Sequence, residues 1–370
     1  MRPALAYLAG EVELLARAGL LRTWRPASVS EGMLDACSND YLGYGLQSYV
    51  AGPARQTGAR GSRLITGDSA VVCDLEDEVA SWVGQERALT FTSGYAANVG
   101  VMSAIAEAGD LVVSDERNHA SLIDGCRLSR AAVRVTAHRD VGEVARALRE
   151  GSFRRRWVVV ESYYSMDGTV SDVAGLRDVC DRAGAGLIVD EAHALGVFGQ
   201  GGGGICRREG VGADVLVGTF GKAVGVQGAF VAGEALVRQW LWNRARSFVY
   251  STGLSPMLGS VVLQNVRRAR ADEVGRRRVW DYAALVRGRL REAGLAVVAG
   301  SCGPIIAVLA GQSATCLEWE RRLAARGVNV RGIRPPTVAE GSARLRVTVS
   351  ASMKSQDVAR LASALVECAR

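Results

Sequence analysis

Lysine is almost absent from this 370-residue chain. Only Lys222 and Lys354 occur among its 45 Lys and Arg residues, so arginine supplies nearly all of the basic surface. A lysine at the end of an apolar strand therefore indicates a role that a guanidinium cannot fill. Formation of a Schiff base is such a role, because it needs a primary amine that can lose its proton. The alternative is a surface lysine without a chemical role.

The chain also lacks the motifs of several protein classes. Its eight cysteines show no Cys-x-x-Cys spacing, so we expect reduced thiols in a cytoplasmic protein, not disulfides or a metal site. No apolar run reaches membrane-spanning length and no signal peptide is recognisable, so no membrane partner is expected. The net charge of +7 comes from scattered arginines without a nucleic-acid-binding motif. It suits small anionic ligands and argues against nucleic acid.

The pattern of apolar segments predicts an α/β fold. Repeated strand–helix units indicate a mostly parallel sheet flanked by helices on both faces. After residue 235 the pattern changes to that of a smaller α+β domain. We therefore predict an N-terminal arm and helix over 1–44, a large ligand-binding domain over 45–235, and a C-terminal domain over 236–370.

The segment 186–228 carries the most informative pattern. One apolar strand ends at Asp190, with His193 three residues later, and a second ends at Thr219, with Lys222 three residues later. Adjacent parallel strands place their carboxyl ends side by side, at the edge where open α/β folds bind ligands. We therefore expect the carboxylate of Asp190 to lie near the amine of Lys222.

Two interpretations of Asp190-Glu-Ala-His193 are open. In helicase-type ATPases such an acid holds magnesium, but these enzymes need an upstream Gly-x-x-x-x-Gly-Lys-Ser/Thr loop. The only Gly-Lys pair, Gly221-Lys222, lies downstream and is followed by Ala223. In the second interpretation Asp190 faces the ring nitrogen of pyridoxal phosphate and Lys222 forms the Schiff base. The acid would keep that nitrogen protonated, and His193 would reach the phenolic oxygen.

Two further features lie on the same predicted sheet edge. Residues 92–98 form a strand-to-helix turn whose free N–H groups could bind phosphate, although an ordinary helix cap at Thr92 or Ser93 is the alternative. His119 opens a helix directly after another strand, where its flat ring could stack on a cofactor. A lone histidine is more often structural, and His138 is predicted to be inert.

Taken together, the motifs resemble the α-oxoamine synthases, which are fold-type-I pyridoxal phosphate enzymes. The resemblance covers nearly the whole chain. Its most specific segments are RLITG (63–67), SGYAAN (93–98), NHAS (118–121), SMDG (165–168), DEAH (190–193) and TFGK (219–222).

The resemblance implies roles around the cofactor ring. Lys222 would hold the cofactor and later move the substrate's α-proton, while Asp190 would pair with the ring nitrogen. His193 and Ser165 would contact the phenolic oxygen. His119 would stack on the ring and face the substrate. Lys222, His119, Asp190 and His193 are therefore the expected catalytic residues.

Other implied roles concern the phosphate and the substrates. Near the phosphate the resemblance places Ser93, Gly94, Tyr95 and Thr219. Thr252 would reach the phosphate of a neighbouring subunit, which implies a homodimer with shared active sites. Substrate binding is implied for Arg22, Asn39, Thr337 and Arg346, of which Asn39 and Arg346 would hold the amino-acid carboxylate.

The implied activity is a decarboxylative condensation of an amino acid with an acyl thioester. The segment IRPPTV (333–338) resembles the members that serve biotin synthesis and use L-alanine and a pimeloyl thioester. Glycine-using, aminolevulinate-forming, long-chain acyl and secondary-metabolism members are the alternatives, as are aminotransferases or lyases of the same fold. The thioester could be carried by coenzyme A or by a carrier protein. Unusual residues at Cys73, Tyr163, Tyr164 and Met353 could alter the fit of the acyl chain.

Overall fold

A computed structural model of the protein describes residues 3–21, 32–47 and 56–369. The strands in these ranges are β1 (Leu34–Asp35), β2 (Arg87–Phe91), β3 (Leu111–Asp115), β4 (Ala132–Thr136), β5 (Arg156–Glu161), β6 (Gly186–Asp190), β7 (Val215–Thr219), β8 (Ala229–Gly233), β9 (Ile305–Gly311), β10 (Val328–Asn329), β11 (Arg331–Ile333) and β12 (Ala343–Thr348).

The helices in the same ranges are α1 (Tyr7–Arg17), α2 (Ala70–Val83), α3 (Gly94–Ile105), α4 (Ala120–Ser129), α5 (Val141–Arg149), α6 (Val173–Ala183), α7 (Ile205–Glu209), α8 (Ala235–Arg244), α9 (Arg246–Val249), α10 (Pro256–Ala271), α11 (Glu273–Glu292), α12 (Ser313–Ala325) and α13 (Ser355–Cys368). The longest helices, α10 and α11, lie between β8 and β9 in the chain. Within the described residues, no helix is both long and apolar enough to cross a bilayer.

Local sequence explains where several helices begin. The side chains of Asp140, Asp172 and Asp272 accept hydrogen bonds from main-chain N–H groups in the first turns of α5, α6 and α11. A carboxylate at this position satisfies an otherwise unpaired donor and opposes the positive end of the helix dipole. These capping residues fix where the three helices begin.

The large sheet has seven strands in the order β2-β8-β7-β6-β5-β3-β4. Strands β3 to β7 are parallel to one another, whereas β8 runs antiparallel between β2 and β7. Strands β3, β6, β7 and β8 carry almost entirely buried residues, as expected for a sheet covered on both faces. The predicted mostly parallel α/β sheet is confirmed.

A second sheet of three antiparallel strands, β11-β12-β9, belongs to the C-terminal part of the chain. The short strand β1 near the N-terminus pairs in parallel with β10, so the N-terminal arm is hydrogen-bonded to this C-terminal part. One apolar core includes residues of both sheets, such as Leu187 and Val347. The two sheets are therefore joined by continuous packing, and the domain limits given above stay predictions.

The aromatic and β-branched residues at 248–252 predict a short strand, and this prediction is wrong. Residues Arg246–Val249 form the short helix α9, and a turn follows. The ring of Phe248 packs against Phe91 at 5.6 Å and against Trp242 at 5.2 Å between ring centres. These long-range contacts outweigh the strand preference of an aromatic and β-branched segment.

Candidate active site

Three strand ends meet at the carboxyl edge of the large sheet. Strands β5 and β6 end at Glu161 and Asp190, which are register partners on adjacent parallel strands. Strand β7 lies on the other side of β6 and ends at Thr219, three residues before Lys222. The expected adjacency of the strands that precede Asp190 and Lys222 is therefore present.

Lys222 lies among these strand ends and is half-buried. Burial lowers the pKa of Lys222 to about 8, with a further contribution from Arg346, while the carboxylates of Asp190 and Glu161 act against the shift. An ordinary lysine titrates near pH 10.4, so it is almost fully charged at neutral pH. The amine of Lys222 can instead lose its proton close to neutral pH, which nucleophilic attack on a carbonyl requires.

The lowered pKa predicts how the amine reacts with pH. In cofactor-free protein, labelling of Lys222 by an amine-specific reagent should rise as pH increases through about 8, because the neutral amine is the reactive form. Peptide mass spectrometry can follow this directly, since Lys354 is the only other lysine. If labelling of Lys222 rose only near pH 10, the amine would lie in a more solvated site than the structure indicates.

Asp190 is held in one orientation by two hydrogen bonds. Its Oδ2 accepts from Asn98 Nδ2 at 2.7 Å, and its Oδ1 accepts from the main-chain N–H of Ala192 at 2.8 Å. Only 5% of the residue is exposed. A buried carboxylate fixed in this way can pair with a cationic N–H of a ligand without having to reorganise.

His119 and His193 approach the site from two sides. His119 caps α4 and is partly exposed. Partial burial lowers the pKa of His119, opposed by Asp190 and helped by Lys222. His193 is buried, with Nδ1 2.7 Å from the hydroxyl of Tyr41, and burial together with Lys222 and Arg346 lowers its pKa further. Both rings are therefore neutral at pH 7.

Arg346 on β12 joins three parts of the chain. Its Nε donates to the main-chain oxygen of Ser165 at 2.6 Å, and its Nη2 donates to Oδ1 of Asn39 at 2.9 Å. Its Nη1 makes no hydrogen bond within the described ranges, so this NH₂ group of the guanidinium is available to bind an anionic ligand. The hydroxyl of Ser165 likewise has no hydrogen-bond partner in this part of the chain.

The start of α3 adjoins the end of β7. Ser93 caps the helix by accepting from the N–H of Ala96 at 3.1 Å, and a Cβ placed on Gly94 would lie 3.7 Å from Cβ of Thr219. The free N–H groups of a helix start attract phosphate. Tyr95 is half-exposed, and its hydroxyl donates to Asp124 on α4 at 2.7 Å.

Three predicted residues are not brought to this cluster by the described structure. Thr252 is exposed in the turn after α9. Thr337 is also exposed, and its main-chain N–H donates to the oxygen of Arg334 at 3.0 Å. Arg22 lies outside the described residues. Their suggested contacts with phosphate or substrate stay predictions.

Sequence reasoning missed two polar residues in the cluster, Glu161 and Asn98. Glu161 Oε1 is buried without a hydrogen-bond partner in the described part of the chain, and Oε2 accepts from the N–H of Ser165 at 3.2 Å. Burial, with a contribution from Asp190, raises the pKa of Glu161 to about 8, while Lys222 opposes the shift. An acid at the end of an apolar strand, as at Asp190, was the signal that could have found Glu161.

The unusual residues noted in the sequence lie in packed surroundings. Tyr163 is buried, with its hydroxyl donating to the main-chain oxygen of Cys302 at 2.6 Å. The ring of Tyr164 stands edge-on to His138, 4.4 Å between centres. Met353 is buried in the core, and Cys73 lies half-buried on α2. The bulk of both tyrosines is therefore taken up by packing beneath the sheet edge.

The residues at this edge fit pyridoxal phosphate. They supply a primary amine with a lowered pKa, a fixed carboxylate for the ring nitrogen, a helix start for the phosphate, and a neutral imidazole at the mouth of the site. Oε1 of Glu161 is buried at the same edge without a partner in the described residues, so it is one more polar group that a ligand could contact.

Comparison with known proteins identifies the family. The family model described as aminotransferase class I and II matches residues 31–365. The chain belongs to this family. It is 41% identical to an 8-amino-7-oxononanoate synthase of Aromatoleum aromaticum, over 90% of this chain and 88% of the relative. It is 36% identical to 8-amino-7-oxononanoate synthase 2 of Bacillus subtilis, over 92% and 91%.

Solved structures agree with this placement. A serine palmitoyltransferase of Sphingomonas wittichii matches with a TM-score of 0.89 and 26% identity, covering 99% of this chain and 97% of that one. A serine palmitoyltransferase holding pyridoxal phosphate as an internal aldimine matches equally well, at 25% identity. The predicted fold type and the predicted family of pyridoxal phosphate transferases, which act on small molecules, are confirmed.

Proposed function

We propose that this protein is an 8-amino-7-oxononanoate synthase, which condenses L-alanine with a pimeloyl thioester and releases carbon dioxide and free thiol in biotin biosynthesis. The observation that carries the proposal is the pairing of strand ends that puts Lys222, with a pKa of about 8, beside the fixed carboxylate of Asp190. The relatives about 40% identical over nine-tenths of the chain narrow the reaction to this member of the family.

The cofactor supplies an electron sink for a substrate carbanion when it is bound. Lys222 would hold it covalently, and the amine of Lys222 would take up and return the α-proton of the substrate. Asp190 pairs with the ring nitrogen. Ser165 and His193 would contact the phenolic oxygen of the cofactor, and His119 would stack on its ring. Neutral histidines there donate or accept hydrogen bonds without adding charge to the ring.

Phosphate binding falls to the start of α3. Ser93, Gly94 and Tyr95 present the first turn of this helix beside Thr219. Because the helix dipole and free N–H groups converge there, the phosphate is held without a lysine. This arrangement is consistent with a chain in which lysine is reserved for the reaction itself.

The amino-acid carboxylate is proposed to bind between Asn39 and Arg346. Arg346 is already oriented by Asn39 and by the main chain of Ser165, and it keeps a free Nη1. A preoriented guanidinium binds a carboxylate with little loss of side-chain freedom. Arg22 and Thr337 are proposed to contact the acyl substrate on the strength of the motif match alone.

The active protein is proposed to be a homodimer with shared active sites. Helix α1 buries none of its residues in this chain, and Leu8, Val12 and Leu15 on it are exposed. Thr252 is exposed in the turn that follows α9, where a second subunit could be reached. Light scattering of the purified protein should give twice the mass of one chain.

The cytoplasm is the proposed compartment. All eight cysteines are free thiols, and Cys37, Cys73 and Cys302 among them are only half-buried. Thiols with such exposure persist in a reducing environment.

A second candidate is the condensation of serine with a long-chain acyl thioester. It is favoured by the TM-score of 0.89 to serine palmitoyltransferases, against 0.77 to the 8-amino-7-oxononanoate synthase of Francisella tularensis. Fold similarity is shared by many activities, whereas substrate choice depends on side chains at the site. We therefore give more weight to the identity of 41% with a curated synthase.

Thiol release from a panel of substrate pairs tests the proposal. L-alanine with pimeloyl-coenzyme A should give the fastest release, and serine with palmitoyl-coenzyme A should give little. Glycine with acetyl- or succinyl-coenzyme A serves as the control for other members of the family. Preference for serine with the long chain, or for glycine with a short one, would overturn the assignment.

A further inference from the structure

A chain of hydrogen bonds links His119 to Asp190 through two buried residues. Nδ1 of His119 lies 2.7 Å from the hydroxyl of Ser121, which lies 2.9 Å from Nδ2 of Asn98, and this same Nδ2 lies 2.7 Å from Oδ2 of Asp190. Ser121 is fully buried and Asn98 is 2% exposed. Both linking side chains are thus shielded from water. Their hydrogen bonds are stronger in the protein interior than they would be in water.

The direction of the bond at His119 follows from the main chain. The N–H of Ser121 points at Nδ1 of His119 at a distance of 3.2 Å. A main-chain N–H can only donate, so Nδ1 must be an acceptor and cannot carry a proton. The hydroxyl of Ser121 therefore donates to Nδ1 as well. A neutral imidazole with an unprotonated Nδ1 carries its proton on Nε2.

The orientation of Asn98 is fixed by its other partner. Asp190 offers only acceptor oxygens when ionised, so the amide of Asn98 must turn its NH₂ group toward it. The second N–H of that group then donates to Ser121. The carbonyl oxygen of Asn98 is left buried with no partner in the described ranges. The two hydrogen bonds that its NH₂ group donates offset the free-energy cost of burying this oxygen.

We infer that Ser121 and Asn98 are positioning residues that hold His119 in the form protonated at Nε2 and tie that form to the carboxylate of Asp190. The inference rests on the proposed function in one respect, namely that His119 faces the reacting ligand. Donation runs from Asn98 in two directions, to Asp190 on one side and through Ser121 to His119 on the other.

This arrangement divides the chemistry between His119 and Lys222. Nδ1 of His119 already accepts from two donors, so Nε2 is the ring nitrogen left to contact a ligand. The N–H at Nε2 donates to an oxygen of the bound ligand. It cannot accept a proton from that ligand. Burial and the nearby Lys222 lower the pKa of His119, which keeps the ring neutral. Removal of the α-proton is thereby left to the amine of Lys222.

Nitrogen NMR of the holoenzyme tests the assignment directly. The chain has only three histidines, so protein labelled with ¹⁵N-histidine gives three imidazole patterns. His119→Asn and His138→Gln each remove one pattern and so assign them. We expect His119 to show a proton on Nε2 and none on Nδ1. A proton on Nδ1 in the unsubstituted protein would overturn the inference without any need for a variant.

A pair of serine variants separates positioning from folding. In Ser121→Ala the pattern of His119 should change to mixed tautomers, and kcat should fall about tenfold, a fraction of the range for general acid–base groups. Cofactor absorbance should be retained, because Asp190 keeps both of its hydrogen bonds. The control is Ser129→Ala, which removes a buried hydroxyl of the same helix that donates to the main-chain oxygen of Cys126 and accepts from the N–H of Ala131.

The outcomes distinguish this inference from the proposed function. If Ser121→Ala leaves the tautomer of His119 unchanged, the positioning role is refuted even in an active enzyme. If the unsubstituted protein shows the Nε2–H form but releases no thiol from alanine and pimeloyl-coenzyme A, the positioning role holds and the proposed substrates fail. Asn98→Ala should change both the NMR pattern of His119 and the cofactor absorbance, because Asn98 donates to Ser121 and to Asp190.

Discussion

Replacing Lys222 with arginine is expected to abolish the reaction. Arginine keeps the positive charge and much of the length of lysine, but its guanidinium does not lose a proton in proteins and forms no covalent bond with an aldehyde. Loss of a nucleophile that also moves a proton costs at least about 10⁴-fold in kcat, by comparison with other enzymes in which such a residue was removed. Thiol release from alanine and pimeloyl-coenzyme A measures the loss.

The chain offers a matched control for this experiment. Lys354 is its only other lysine, and it is exposed just before α13. Lys354→Arg should therefore leave activity unchanged. Treatment with borohydride should fix pyridoxal phosphate to the unsubstituted protein and to Lys354→Arg, but not to Lys222→Arg. A fixed adduct in Lys222→Arg would place the covalent link on Lys354 or on the chain's amino terminus and refute the proposed role.

The parts of the fold that sequence predicted well are those with a strong local pattern. The sequence pattern predicts a helix over 173–183 and strands up to Asp190 and over 215–219, and α6, β6 and β7 match these segments. The caps Asp172 and Gly184 bound the helix, and both strands are apolar runs with a polar end. Continuous apolar runs of this kind indicate neighbouring strands of a parallel sheet that is covered on both faces. For this reason the adjacency of Asp190 and the Lys222 turn could be expected before any coordinates were known.

Other parts depended on contacts that no local pattern reveals. The pairing of β1 with β10 joins residues 34–35 to residues 328–329, and nothing in either short segment indicates its partner. The apolar spacing predicts a helix over 277–293, but helix α11 begins at Glu273, four residues before that start. The same residue, Asp272, ends α10 and caps α11, so the boundary between the two helices is hidden in a continuous polar stretch.

The polar contacts inside the site were the least predictable. Asn98 lies 23 residues from Ser121 and 92 from Asp190 in sequence, yet it donates to both. Its place in SGYAAN could be noticed, but its partners are set by how α3 crosses the sheet beside α4 and β6. Motifs therefore identified which segments form the site, and the fold determined which side chains act together.

Replacing Asp190 with asparagine should have the second-largest effect. Asparagine has nearly the same shape, so the change removes the negative charge opposite the ring nitrogen and little else. Opposite unit charges about 4 Å apart interact by about 4 kcal/mol at an effective dielectric of 20, which corresponds to about 10³-fold in rate. We expect kcat for alanine to fall by about this factor, while the cofactor stays attached to Lys222.

The hydrogen bonds around Asp190 explain why the effect should spread to His119. An amide at position 190 can still accept from Ala192, but its NH₂ group would then face the NH₂ group of Asn98. Two donors cannot pair, so Asn98 must turn its amide, use its unpartnered oxygen and release Ser121. The NMR pattern of His119 should therefore change together with the rate in Asp190→Asn. Asp214→Asn, at a half-exposed acid paired with Arg177 outside the site, should change neither, and an active Asp190→Asn enzyme with an unaltered His119 would contradict the proposed role of the acid.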